Sequence, residues 1–210
     1  GLRLYTGSDG STIRGLVIQN FTEDGIDMSF SGGHRIVGNR IGTNAAGTAA
    51  LPNAAGGVQV TTSNGTIIGG PNGNPATPNG DGNLISGNAN TGIRLKDSLG
   101  FGTGTSNIVI RNNWIGLNAA GTAALPNDTG IYFSNSANNF TVGPNNVISG
   151  NKNNGVLIEA TLTASQPSQQ VRLNTITGNQ IGTDASGNAA VPNQRGIQLT
   201  GSTFNNTISN

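Results

Sequence analysis

The chain has 210 residues, a formal net charge of +1 at pH 7, only 9% charged residues and no cysteine. The lack of any Lys/Arg cluster argues against nucleic acid as a partner, and no apolar run approaches the roughly 20 residues of a bilayer-spanning helix, so membrane insertion is not expected either. Without cysteine there is no disulfide scaffold and no thiolate-held zinc. The 34 glycines follow no strict third-residue period, which removes a collagen-like chain.

Taken in chain order, the opening GLRLYTGSDG carries no signal peptide and reads as the middle of a longer exported protein. Leu2, Leu4 and Tyr5 are placed to cover the first coil. A degenerate phrase, Asn20–Ile26, precedes the first full strand, Gly25–Ser29. His34, the one histidine, is expected on a coil surface. Three near-copies of one long phrase then recur at Ile41–Asn53, Ile115–Asn127 and Ile181–Asn193, and a shorter phrase at Asn83–Ile93 and Asn146–Val156 lies between them. Spacings of roughly 25 to 41 residues are those of solenoids, whose units bury a core only by stacking on their neighbours. One domain, residues 1–210, accommodates the array.

Aligned on Gly-aliphatic, six strands begin at Gly25, Gly57, Gly92, Gly130, Gly155 and Gly196. Alternation with period two sends Ile26/Met28, Val58/Val60, Ile93/Leu95, Ile131/Phe133, Val156/Ile158 and Ile197/Leu199 inward. A second strand per coil is expected at Arg35–Val37, Thr66–Ile68, Ile108–Ile110 and Phe140–Val142, and a third around Ile41, Ile85, Ile115, Ile148 and Ile181. Two residues before each of those isoleucines stands an asparagine (Asn39, Asn83, Asn113, Asn146, Asn179), with Asn20 in the matching place of the first coil. Stacked at ~4.8 Å, such amides can bond to one another and to the turn backbone. The repeated loops after Gly42, Gly116 and Gly182 stack as a structural ridge on one flank.

Three short strands per coil, an asparagine-bearing corner and inward aliphatic stacks resemble the right-handed parallel β-helix of the pectate-lyase-like superfamily. The N-x-I-x-G-N-x-x-x-G-I phrasing is similar to repeats of large secreted bacterial surface proteins in that group. The resemblance implies an all-β solenoid of about six coils, placed outside the cell or on its surface. It also implies that functional groups sit on the outward face of the first strand of each coil.

The outward columns there read Asp27, Gln59, Arg94, Tyr132, Leu157, Gln198 and Ser29, Thr61, Lys96, Ser134, Glu159, Thr200. A further column, Ser31, Ser63, Ser98, Ser136, Thr161 and Ser202, is read as satisfying turn backbone. Charge, an aromatic ring and non-repeated loops (Pro71–Asp81, Leu99–Ser106, Leu162–Gln170) coincide only around Arg94, Lys96, Tyr132, Ser134 and Glu159. With coils ~4.8 Å apart, Lys96 and Glu159 flank Ser134 at about 10 Å from each other.

Three readings stay open at this point. An adhesion or glycan-binding scaffold would use the outward face of coils 2–4, with Arg94, Tyr132, Asp27 and Gln59 contacting a polysaccharide or cell-surface glycan. A carbohydrate-active enzyme would use the same face, with Arg94 or Lys96 as the base of a lyase on a uronate, or Ser134 activated by Lys96 beside Glu159 in an ester hydrolase. Thr22–Asp27 also resembles the acid/base motif of β-helix polygalacturonases through Glu23, Asp24 and Asp27, although no Asp-Asp pair follows on the next strand. A structural spacer would need none of these groups. No cofactor and no metal is expected, and unpaired strand edges at the two ends favour end-to-end self-association.

Overall fold

The computed structural model describes residues 1–73, 80–97, 105–134, 136–160 and 170–210. Each turn of the chain adds one strand to each of three parallel sheets that wrap a single core. The first sheet holds seven strands in chain order: Leu2–Leu4, Ile26–Ser29, Gly56–Thr61, Thr91–Lys96, Thr129–Ser134, Asn154–Ala160 and Arg195–Gly201. The second sheet runs from Thr12–Arg14 to Thr207–Ser209, and the third from Val17–Ile18 to Gln180–Ile181. Together they form a right-handed parallel β-helix, as the repeats imply.

The register aligns the inward residues into continuous stacks. Ile26, Val58, Ile93, Ile131, Val156 and Ile197 are partners along one row, and Met28, Val60, Leu95, Phe133, Ile158 and Leu199 along the next. All but the last pair are completely buried. Burying each such side chain contributes roughly 1.5–3 kcal/mol. Leu2–Leu4, expected as a cover, is itself a rung, because Leu2 and Leu4 continue the two apolar rows by pairing with Ile26 and Met28. The patch expected on coils 2–4 consequently lies on the fourth to sixth of seven strands.

The corner between the second and third sheets is held by an amide ladder. Asn39 Nδ2 donates to Asn83 Oδ1 (3.1 Å), Asn83 to Asn113 (2.8 Å), Asn113 to Asn146 (3.1 Å) and Asn146 to Asn179 (2.8 Å). Asn20 does not belong to it. The residue two before the first-coil isoleucine, Ile18, is Leu16, whose backbone N–H donates to Asn39 Oδ1 at 3.0 Å. Asn20 lies beyond that strand, exposed, with φ 62°.

A second ladder joins the third sheet to the first through Asn53, Asn88, Asn127, Asn151 and Asn193, at 2.9–3.1 Å. It explains the alternation of long and short phrases. The short phrase reaches this ladder at Asn88 or Asn151, three residues after its isoleucine, whereas the long phrase inserts a loop before ending on Asn53, Asn127 or Asn193. The loops touch one another across the intervening short coil: Ala119 N–H donates to Gly47 O (2.9 Å) and Ala185 N–H to Gly121 O (2.8 Å). Beneath them Leu84, Trp114, Leu117, Val147 and Val191 form a small second core with Ala119 and Ala185. Gly121, at φ 71°, has no room for a side chain, since a Cβ there would lie 2.5 Å from Ala185 Cβ and 2.9 Å from the Trp114 ring.

His34 is fully buried, against the surface position expected. It immediately precedes the second-sheet strand Arg35–Val37, at an inward corner position where later coils carry Thr66, Ile108 and Phe140. Its Nε2 lies 2.9 Å from Ser31 Oγ, while Nδ1 has no partner. Of the hydroxyl column, Ser31 and Ser63 are buried and Ser63 Oγ donates to the Ser31 carbonyl. Ser98 and Thr161 lie outside the described residues.

Two outcomes follow from these contacts. Asn113→Ala removes an acceptor of two bonds from Asn83 and takes from the Ile68 carbonyl one of its two donors, so unfolding stability in denaturant falls by roughly 2–5 kcal/mol. Asn44→Ala, which breaks bonds only within an exposed loop, lowers it by about 1 kcal/mol or less. For His34, burial holds the imidazole below its ordinary range, outweighing the pull of the Asp9 carboxylate and the Ser11 backbone. The unfolded chain therefore takes up the proton first, and this contribution to stability is complete above the ordinary imidazole pKa and lost as pH falls below it. Between about pH 7.5 and pH 5 the melting temperature of the wild type drops relative to that of His34→Asn, whereas parallel curves would contradict the assignment.

Candidate functional site

The outward side of the first sheet follows the columns read from the sequence. Arg3, Asp27, Gln59, Arg94, Tyr132, Leu157 and Gln198 are successive partners, and beside them run Ser29, Thr61, Lys96, Ser134, Glu159 and Thr200. Strand alternation aims these side chains away from the core, and parallel pairing at ~4.8 Å brings consecutive ones into contact.

Within this array the acidic groups are engaged. Asp27 accepts from Arg3 Nε at 3.0 Å and from Ser29 Oγ at 2.8 Å. Glu159 Oε2 accepts from the Tyr132 hydroxyl at 2.5 Å. That phenol is pushed up to about 12, first by burial and then by the hydrogen bond and charge of Glu159, so it is a neutral donor at physiological pH. The Arg94 guanidinium lies over the Tyr132 ring, 5.4 Å from its centroid. One face of the ring is thereby occupied by a cation.

The cations are not engaged in the same way. Among the described residues, neither Arg94 nor Lys96 has a carboxylate oxygen within 4.0 Å. Lys96 and Glu159 do not pair, and no hydrogen bond joins Lys96 Nζ to Ser134 Oγ, which is buried without a partner. Burial, then repulsion from Arg94, holds the Lys96 ammonium below the ordinary lysine value, with Asp24 and Asp27 pulling the other way. Asp24 is displaced upward, by burial and then by Asp27, against Lys96 and Arg94. The fold thus brings Asp24, two strands away in the sheet, into the electrostatic field of Arg94 and Lys96.

Unsatisfied groups concentrate here. Among the described residues, eight buried side-chain polar atoms lack a hydrogen-bond partner, and four of them belong to this face: Thr61 Oγ1, Arg94 Nε, Ser134 Oγ and Asn154 Oδ1. Leaving such an atom unpaired costs about 1–3 kcal/mol, so a cluster of them marks a surface that is completed by something else. Thr61 and Asn154 were not singled out from the sequence. Asn154 stands where two of the preceding coils carry Thr91 and Thr129, and that departure from the repeat was its signal. The non-repeated loops expected to wall the face fall largely on residues 74–79, 98–104 and 161–169, outside the described residues. No three His, Asp or Glu among the described residues are grouped to hold a metal ion.

The comparisons with known proteins agree with this architecture. The A-module of the Azotobacter vinelandii mannuronan C-5 epimerase AlgE4 superposes with a TM-score of 0.59 at 16% identity, over 99% of this chain and 56% of that one. A double mutant of the periplasmic alginate epimerase AlgG gives a TM-score of 0.41 at 14% identity, over 98% of this chain and 49% of that one. The chain therefore spans about half the length of these structures. No curated protein matched the sequence. Residues 1–181 match the family model described as the right-handed β-helix region, and the chain belongs to that family.

Proposed function

We propose that this chain recognises an acidic polysaccharide along the outward face of its first sheet, in an extracellular or cell-surface setting. The observation that carries the reading is the neighbouring pair of cations on this face, Arg94 and Lys96, which among the described residues have no carboxylate oxygen within 4.0 Å. A polymer bearing carboxylates supplies acceptors for Arg94 and Lys96. Gln59 lies next to Arg94 in the same column and extends the polar surface toward Asp27. The AlgE4 module, similar in fold, is named for action on mannuronan, which supports a polysaccharide as the ligand class.

A second reading, a carbohydrate-active enzyme on this same face, is favoured by the opposed displacements of Lys96 and Asp24. A lysine held below its ordinary range is a better base near neutral pH, and a carboxyl held above its range is a better acid. Arg94 would neutralise the carboxylate of a uronate as a proton leaves the adjoining carbon. The same residues thus serve binding or turnover, and the distinction is experimental.

Alginate and polygalacturonate are titrated against the purified chain by calorimetry, with dextran as the neutral control. Arg94→Ala and Lys96→Ala each weaken binding of the acidic polymers roughly tenfold, as expected for a lost charged hydrogen bond, and binding weakens further as salt is raised. Equal binding of dextran, or unchanged affinity in both variants, would sink the proposal. Unsaturated products or new reducing ends that vanish in Lys96→Ala would identify the enzyme.

A further inference from the structure

A cavity of about 560 Å³ opens at the corner between the second and third sheets, away from the charged face. Its floor is the outward side of the third sheet, where Trp114, Val147 and Gln180 follow one another in register. Ala185 of the third repeated loop forms one wall, and the asparagine corner around Asn112 and Asn145 forms the other. No residue of the first sheet and no charged residue lines it.

The amides of this groove divide into two kinds. Asn112 Nδ2 donates to the Gly70 carbonyl at 2.6 Å, and Asn146 and Asn179 belong to the corner ladder, so these are fixed by the fold. Asn145, Gln180 and Asn210 differ: all three are exposed, and none of their side chains forms a hydrogen bond among the described residues. Each primary amide presents two donor hydrogens and an acceptor oxygen. Trp114, 8% exposed, lies one coil before Asn145, anchored by the small second core and held under Gly121.

We infer that this groove is a binding site for a short neutral oligosaccharide. The volume lies within the range of small-ligand sites. Adjacent sugar hydroxyls are both donors and acceptors, which matches the open amides, and the apolar C–H surface of a pyranose matches the exposed part of the indole and Val147. The absence of charge in the lining gives a carboxylated or sulfated sugar no counter-ion, so the groove selects against the ligand class assigned to the charged face. The two sites share no residue, and the inference does not depend on the first one.

Trp114 is the only tryptophan in the chain, so intrinsic fluorescence reports on this groove directly. Cellotetraose, maltotetraose and the charged control tetragalacturonate are titrated against the wild type and against a double variant, Gln180→Ala with Asn145→Gly. Glycine is chosen at position 145 because the backbone there has φ 64°. At least one neutral tetrasaccharide produces a saturable change whose half-saturation rises about tenfold or more in the double variant, the effect of two lost hydrogen bonds. Arg94→Ala leaves that titration unaltered. Circular dichroism melting confirms that the double variant is folded, and Gln180→Phe, which fills the groove from an exposed position without adding a second tryptophan, provides a second block. The proposal is overturned by the absence of any saturable change with either neutral sugar, by an unchanged titration in the blocked variants, or by a response to tetragalacturonate alone.

Discussion

The fold depends on buried amide-to-amide hydrogen bonds that force each coil to sit directly on the one before. In the corner ladder one asparagine oxygen accepts both the backbone N–H and the side-chain Nδ2 of the preceding rung, as Asn113 Oδ1 does from Asn83 at 3.0 and 2.8 Å. The same Asn83 amide also donates to the Ile36 carbonyl at 2.7 Å. Every bond of the rung is satisfied only in one register, and in a low-dielectric interior an unsatisfied amide is heavily penalised. Aliphatic stacking alone tolerates sliding. The ladders, one at each end of the third sheet, do not.

That constraint decides where function can reside. Inward positions are occupied by aliphatic stacks, corner positions by asparagines, and the flank of the third sheet is largely covered by the repeated loops. What remains is the outward sides of the first and second sheets and the strip of the third sheet that the loops leave open. On the first sheet the residues change from coil to coil: Asp27, Gln59, Arg94, Tyr132 and Leu157 succeed one another in one column. A rigid backbone presents these dissimilar groups at fixed spacing, so the site is built by variation within a repeat and not by a special loop.

This division also explains what was legible in the sequence. Inward rows and the first ladder are legible because stacking makes the same chemical demand on every coil, and the demand recurs at a fixed place. The outward columns follow from strand alternation once the inward rows are known. The second ladder was harder to see, because the variable loop before it puts Asn53 and Asn88 at different distances from their isoleucines. Asn20 misled for the converse reason: it imitates the motif but follows the strand, while Leu16 holds the place. His34 departs from the surface position expected because the corner turns the residue just before the strand Arg35–Val37 inward, where Ser31 accommodates the ring. Partnerships such as Tyr132 with Glu159 lie between coils and depend on rotamers, which a sequence does not encode locally.

The two proposed sites occupy the same three coils. The strand with Arg94 and Lys96 continues through the second sheet to Trp114, the strand with Tyr132 to Val147, and the strand with Glu159 to Gln180. Between the two surfaces lies the packed stack of Ile93, Leu95, Ile131, Phe133, Val156 and Ile158, all fully buried. A core of this kind has a single close-packed arrangement and offers no second state through which one site would change the affinity of the other. Any gain from occupying both surfaces must therefore come from geometry. A branched or mixed polysaccharide carrying acidic and neutral segments would engage both at once, with the rod fixing the effective concentration of the second contact. Since that gain needs a ligand long enough to pass around the corner of the second sheet, short oligomers would titrate the two sites independently, and only a polymer would couple them.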